Sequence, residues 1–334
     1  MARLVERSSL HRATAALAAA LMLAGCVTTQ AGRIGPDDGR DACRPQLLAL
    51  DSTGDFYGEQ ILQGAAIGAV SGALIGGLAS GRWQGALIGA AVGGAGGAAV
   101  GYYAALQRQA SDQRALYQQM STDLSRENAQ LDRTQIAFNN LMDCRLRTAE
   151  RVRDLVRSGR MDRATAQAQM TEIRGRFQAD LALAQSINGR IGARGTEFDT
   201  AIDSAIPGGK AAIQTAAYRP APVRVAPRRN IEVKFSPSPD SARIGTVNAR
   251  EVVAVRPGPA GSVVVETASG VRGYAPADAF PPQRAAPDPS QQAAATGDVR
   301  SLAATNISRR ENFAESVSNA ERLAQAGGGF ELTS

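Results

Sequence analysis

The sequence predicts a multidomain α + β chain, and three observations predict it. Glycine recurs at every fourth residue through most of 61–104. Residues 102–157 contain neither proline nor glycine, and their apolar residues step by seven. From 230 to 280, β-branched residues alternate between Gly/Pro turns. These patterns predict a glycine-faced helical hairpin, a long antiparallel αα-hairpin of coiled-coil character and a small all-β barrel, joined by flexible linkers.

Residues 1–25 read as a signal peptide. Arg3, Arg7 and Arg12 form a basic start, and Ala13 to Leu23 is an apolar run shorter than the about 20 residues of a spanning helix. It ends in Leu23-Ala24-Gly25-Cys26, which resembles the lipobox of bacterial lipoproteins. The resemblance implies cleavage between Gly25 and Cys26, diacylglycerol on the Cys26 thiol and an acyl chain on the new amino end. Such an anchor exceeds the two-signal threshold for stable membrane attachment. In that family an aspartate after the cysteine retains the protein in the inner membrane. Val27 stands there instead, which implies the outer membrane, lipid-anchored at its periplasmic face. Residues 26–58 are then a lipidated N-terminal linker, in which Leu47-Leu48-Ala49-Leu50 reads as linker or short helix.

Residues 59–104 form the glycine hairpin. Gly64, Gly68, Gly72 and Gly76 are four apart, as are Gly85, Gly89, Gly93, Gly97 and Gly101. At 3.6 residues per turn this spacing keeps one helix face nearly bare, so another backbone packs closely. Small-xxx-small spacing without charge is how helices pair in a bilayer, and Arg82 is the one charge between Glu59 and Arg108. Phe56, Tyr57, Tyr102 and Tyr103 would mark one membrane interface, with Arg82 and Trp83 at the other. A helix over 84–102 is about 27 Å long, against a hydrocarbon core of about 30 Å. A soluble self-associating zipper and a poorly ordered segment remain as alternatives. The repeat resembles the glycine-zipper domain of bacterial outer-membrane lipoproteins, which implies membrane lipid and further copies of the chain as partners.

Composition removes whole classes of chemistry. His11, inside the signal, is the sole histidine, so the mature chain holds neither a Ser-His-Asp or Cys-His unit nor a histidine metal site. No catalytic residue, metal or cofactor is expected beyond the lipid on Cys26, and the chain reads as a non-enzyme. The formal charge of +6 falls to about +4 once the signal's three arginines and one glutamate leave. Arg145, Arg147, Arg151 and Arg153 interleave with Glu150 and Asp154 as a solvated face. With no stacking aromatics beside a basic patch, nucleic acid is not an expected partner.

Cys43 and Cys144 remain as a candidate disulfide in an oxidising compartment. A straight helix from Tyr103 to Cys144 spans about 60 Å, whereas 43–59 reaches at most about 53 Å extended. An intrachain bond therefore requires a bend in the helix or a glycine hairpin that starts later; otherwise the bond joins two chains or does not form.

Residues 105–206 form the αα-hairpin. Tyr103, Ala110, Tyr117, Leu124, Leu131 and Phe138 make one seam, partly filled by Leu106, Met120, Thr134 and Leu141, with Gln113 and Glu127 as polar breaks. Ser158-Gly159-Arg160 stops the helix and Asp162 caps the next, which carries Met170, Phe177, Ala184, Ile191 and Phe198. These stripes read as packing rather than a ligand box.

Residues 207–229 form a proline-spaced linker. Residues 230–280 form the barrel, with strands expected at 230–235, 243–247, 251–255, 262–266 and 271–275, and with Phe235 and Phe280 read as barrel core rather than ligand contacts. Val233 with Pro237, Ile244-Gly245 and Gly273-Tyr274-Ala275 resemble the opening, second and closing elements of the bacterial SH3-like domain. Tyr274 stands where that family closes on tryptophan, and the tryptophan usual before the fourth strand is absent. The resemblance implies binding of cell-wall peptides or proteins; the missing aromatic walls argue against the cell-wall groove. Residues 281–334 read as a mostly disordered tail with a helix at 308–326, set by Phe313, Val317, Ala320 and Leu323.

The expected function is structural: a scaffold of the cell envelope that self-associates through the zipper and presents the SH3-like domain to peptidoglycan or an envelope protein. A tether between outer membrane and peptidoglycan, and an accessory lipoprotein of an export complex, are the alternatives. The ligand of the barrel, the oligomer size and full insertion of the glycine helices are not written in the sequence.

Overall fold

The structure is a computed structural model that describes residues 30–57, 102–104, 106–107, 110–206, 213, 221–259, 261–267, 270–282, 298–325 and 329–332. The signal, Cys26 and the glycines from Gly64 to Gly101 lie outside the described residues.

Two long helices dominate: α3, Gln113–Arg157 (45 residues), and α4, Arg163–Ala205 (43 residues). Before them come α1, Gln30–Ile34, and α2, which spans 44–57. The single helix expected over 102–157 is broken at 110–112, where Asp112 accepts a hydrogen bond from the Ala115 amide at 2.8 Å. That cap satisfies one of the donors a helix start leaves open, so the chain begins a fresh helix there. Asp162 does the same for α4, bonding the Thr165 amide at 2.9 Å. The chain turns between α3 and α4 at Gly159, whose φ of +67° suits glycine.

The expected seams do face inward. Met120, Leu124, Leu131, Phe138 and Leu141 of α3 are buried, as are Met170, Phe177, Ala184, Ile191 and Phe198 of α4. A third helix, α5 (Val299–Gln325), lies against both and buries Phe313, Val317, Ala320 and Leu323. The tail helix therefore starts nine residues before the expected 308 and is packed into the bundle. It covers the apolar stripe that a two-helix hairpin leaves facing water, each such side chain contributing about 1.5–3 kcal/mol on burial.

The sheet has six antiparallel strands in the order β1-β4-β5-β6-β2-β3. They are β1 (Val223–Val225), β2 (Ile231–Lys234), β3 (Arg243–Val247), β4 (Val253–Pro257), β5 (Ser262–Glu266) and β6 (Arg272–Pro276). Two expectations change here. The linker supplies a strand, β1, paired on β4 through Val223↔Val255. The strands also form an open sheet in place of a closed barrel, because the end strands β1 and β3 do not pair with each other. Val233, Val247, Val255, Val263 and Val265 fill its inner face. A Cβ at Gly273 would meet the Lys234 carbonyl oxygen at 2.6 Å, so glycine is what lets β6 approach β2.

The sheet is fixed to the bundle at particular atoms. Asp143 of α3 accepts from Ser236 Oγ (2.9 Å), Ser241 Oγ (2.7 Å) and the Ala242 amide (3.0 Å). Its carboxyl nonetheless sits above the ordinary range, because burial outweighs those three donors. Asn319 of α5 pairs both ways with the backbone of Arg272, at 2.7 and 2.6 Å. Phe235, expected inside the barrel, packs instead on Phe138 at 6.2 Å, and Phe313 closes on the same ring at 5.6 Å. Phe280 does lie in the sheet core.

Candidate functional site

The residues that flank the glycine-rich segment meet on one side of the bundle. α2 runs along α3: Tyr57 is fully buried with its hydroxyl 3.2 Å from Thr134 Oγ1. Tyr102, on the other flank, donates to Asp123 at 2.9 Å and sets its ring 5.1 Å from Phe198. Tyr103 bonds the Ser204 carbonyl. These tyrosines pack on protein, where Thr134, Asp123 and the Ser204 carbonyl meet their hydroxyls. Burial pushes the Tyr57 and Tyr102 hydroxyls well above the ordinary tyrosine range.

Arg194 of α4 joins the two flanks. Its guanidinium lies 5.2 Å from the Phe56 ring and 5.7 Å from Phe198, a cation between two aromatic faces. It also forks onto Glu127 of α3 at 3.0 and 2.6 Å, both side chains being buried. Glu127 is thus more than a polar break in the seam: a planar fork and a carboxylate satisfy each other where water is excluded. Glu197, one turn along, is pushed up to about 7 by burial and the Glu127 charge, against the pull of Arg194.

The segment leading to α2 is latched as well. Cys43 and Cys144 form a disulfide with a Cα–Cα distance of 5.9 Å. α2 brings Cys43 beside Cys144 by lying along α3, with Thr53 beside Gln130 and Tyr57 beside Thr134. Arg145, expected on a solvated face, is buried between Asp41 (2.8 Å) and Asp180 (2.6 Å). The carboxylates repay the burial of its charge, which is why it turns inward from the basic run. Its protonated form is held further above the arginine range by the same two partners, against burial. Arg33 of α1 binds Asp51 at 2.7 Å and Asp55 at 2.8 Å.

Sequence reasoning singled out the cysteines and the glycines but missed Arg194, Arg145, Asp143 and Glu197 as partners. The signal for Arg194 was present: a charge between Ile191 and Phe198 in an apolar seam, answering Glu127 in the facing seam. Among the described residues no group of three or more His, Cys, Asp or Glu is placed to hold a metal ion. Nor is any described helix long and apolar enough to cross a membrane. The arrangement closes the two flanks of one segment on a disulfide-bonded frame.

No curated protein and no solved structure matches the chain. Residues 45–105 match the model of the YMGG-like Gly-zipper family, a range that runs from α2 through the Tyr102 flank and supports a glycine zipper of that kind.

Proposed function

We propose that the protein is a non-enzymatic lipoprotein of the cell envelope, anchored through Cys26 in the outer membrane and facing the periplasm. The zipper assembles copies of the chain in or on the bilayer, and the sheet serves as an SH3-like binding module. The observation that carries this reading is the junction: Phe56 and Tyr102, one on each flank of the zipper, share the Arg194–Phe198 clamp. Cys26 lies four residues before α1, at most about 14 Å of chain, and Arg33 ties α1 to the end of α2. Lipid and zipper thus attach to one region, while Asp143 holds the sheet 20 residues along α3 from Asp123, about 30 Å away.

Metabolic labelling with a clickable fatty acid tests the anchor, with label on the wild type and none on Cys26→Ser. Blue-native electrophoresis tests assembly, with Gly68→Leu and Gly93→Leu expected to lose the assembled band because a large side chain blocks backbone approach. An unlabelled mature protein found free in the soluble fraction overturns the reading.

A further inference from the structure

Strand β3 ends the sheet, and among the described residues no strand pairs with its outer edge. Beside that edge, between β3 and the last turns of α3, lies a groove of about 370 Å³. Leu146, Val156 and Ile244 give it an apolar floor, and Leu332 of the C-terminal segment lines it as well. Arg153, Arg157 and Arg243 stand on its walls against a single carboxylate there, Glu150. Arg243 reaches Glu150 only at 3.9 Å and Glu232 at 3.7 Å, and Arg157 pairs with Asp154 one helix turn away, an exposed pair that a ligand carboxylate can join.

We propose that this edge and groove bind an acidic, extended peptide segment of a partner protein as a seventh strand. The proposal rests on the reading of the sheet as a binding module and names the class of its ligand. A row of unpaired strand N–H and C=O groups is matched by another backbone about 4.8 Å away and by little else. The five residues of β3 offer about 17 Å of edge, enough for a peptide of similar length. On such a peptide, alternate side chains point one way: apolar ones meet Leu146, Val156 and Ile244, and acidic ones at the rim meet the three guanidinium groups. Gly245, at the middle of β3, has open space where a side chain would stand, which leaves room on that face for a side chain of the peptide.

The test uses the full mature chain in detergent micelles and a fluorescein-labelled nine-residue peptide alternating valine and glutamate. Saturable binding is expected, weakening with salt and falling about tenfold or more in Arg153→Glu/Arg157→Glu. Both substituted side chains are on the helix surface, and circular dichroism checks that the variant folds. Hydrogen exchange at the amides of 243–247 should slow on saturation. Equal binding of the lysine-for-glutamate peptide overturns the charge argument, and binding that leaves exchange at 243–247 unchanged overturns the strand argument. Slowed exchange that tracks protein concentration without peptide assigns the edge to a second copy and also overturns the proposal. None of these outcomes touches acylation or zipper assembly, so failure here is separable from failure of the envelope reading.

Discussion

The guanidinium of Arg194 lies 5.2 Å from the ring of Phe56 while its nitrogens fork onto Glu127. A residue of α4 thereby holds the end of α2, where the chain enters the zipper, through a charge that is itself neutralised by α3. Pairing and stacking act together: the carboxylate offsets the desolvation of the cation, and the guanidinium lies over both rings.

Breaking this pair from one side is expected to be worse than removing both partners. Arg194→Met leaves Glu127 buried and uncompensated, a loss of about 3–5 kcal/mol. Glu127→Leu/Arg194→Met should recover most of that, since a packed apolar pair of similar volume is often neutral. Denaturant unfolding of both variants checks it, and equal losses would contradict the account.

Glu197 makes stability depend on pH near neutrality. Its carboxyl is pushed up to about 7 in the folded protein, above its ordinary value of 4.5. The folded state therefore keeps a proton that the unfolded state has lost, and stability from this group falls as pH rises from about 4.5 through 7. Glu197→Gln should stabilise the protein by about 2 kcal/mol at pH 8 and have little effect at pH 4.5. Thermal melts across that range, compared with wild type, give the answer.

Reduction should loosen the N-terminal segment. The Cys43–Cys144 bond closes a loop with a sequence separation of 101; disulfides typically stabilise by about 2–4 kcal/mol, with long loops at the upper end. Cys43→Ser/Cys144→Ser should lower the melting temperature and speed proteolysis within 30–57. The buried Arg145 fork to Asp41 and Asp180 should keep the segment partly docked, so a collapse of the whole bundle is not expected.

Asp143→Ala should act on the sheet more than on the helices. It strips three donors of their acceptor at once, and buried unsatisfied groups cost about 1–3 kcal/mol each. Faster hydrogen exchange at 236–242, with α4 amides unchanged, is the expected signature. Phe138→Ala should instead weaken α3, α5 and the sheet together by about 3–5 kcal/mol, because Phe235 and Phe313 both rest on that ring.

Local patterns were enough to place the long helices and five of the six strands. Seven-residue stripes bury because a helix repeats its face at that interval, and Asp162 caps wherever it precedes such a stripe. The four-residue glycine spacing likewise identified the zipper, which is a property of one contiguous segment. What residues say about themselves through periodicity needs no partner. Arg145, Arg194 and Asp143 are different: each looks like a surface charge until a counterpart 35, 67 or 93 positions away arrives beside it. The open sheet, the strand drawn from a proline-rich linker and the docked tail helix belong to the same class. Each depends on which apolar face happens to lie uncovered once the chain has folded back on itself, and burial of that face is decided in three dimensions.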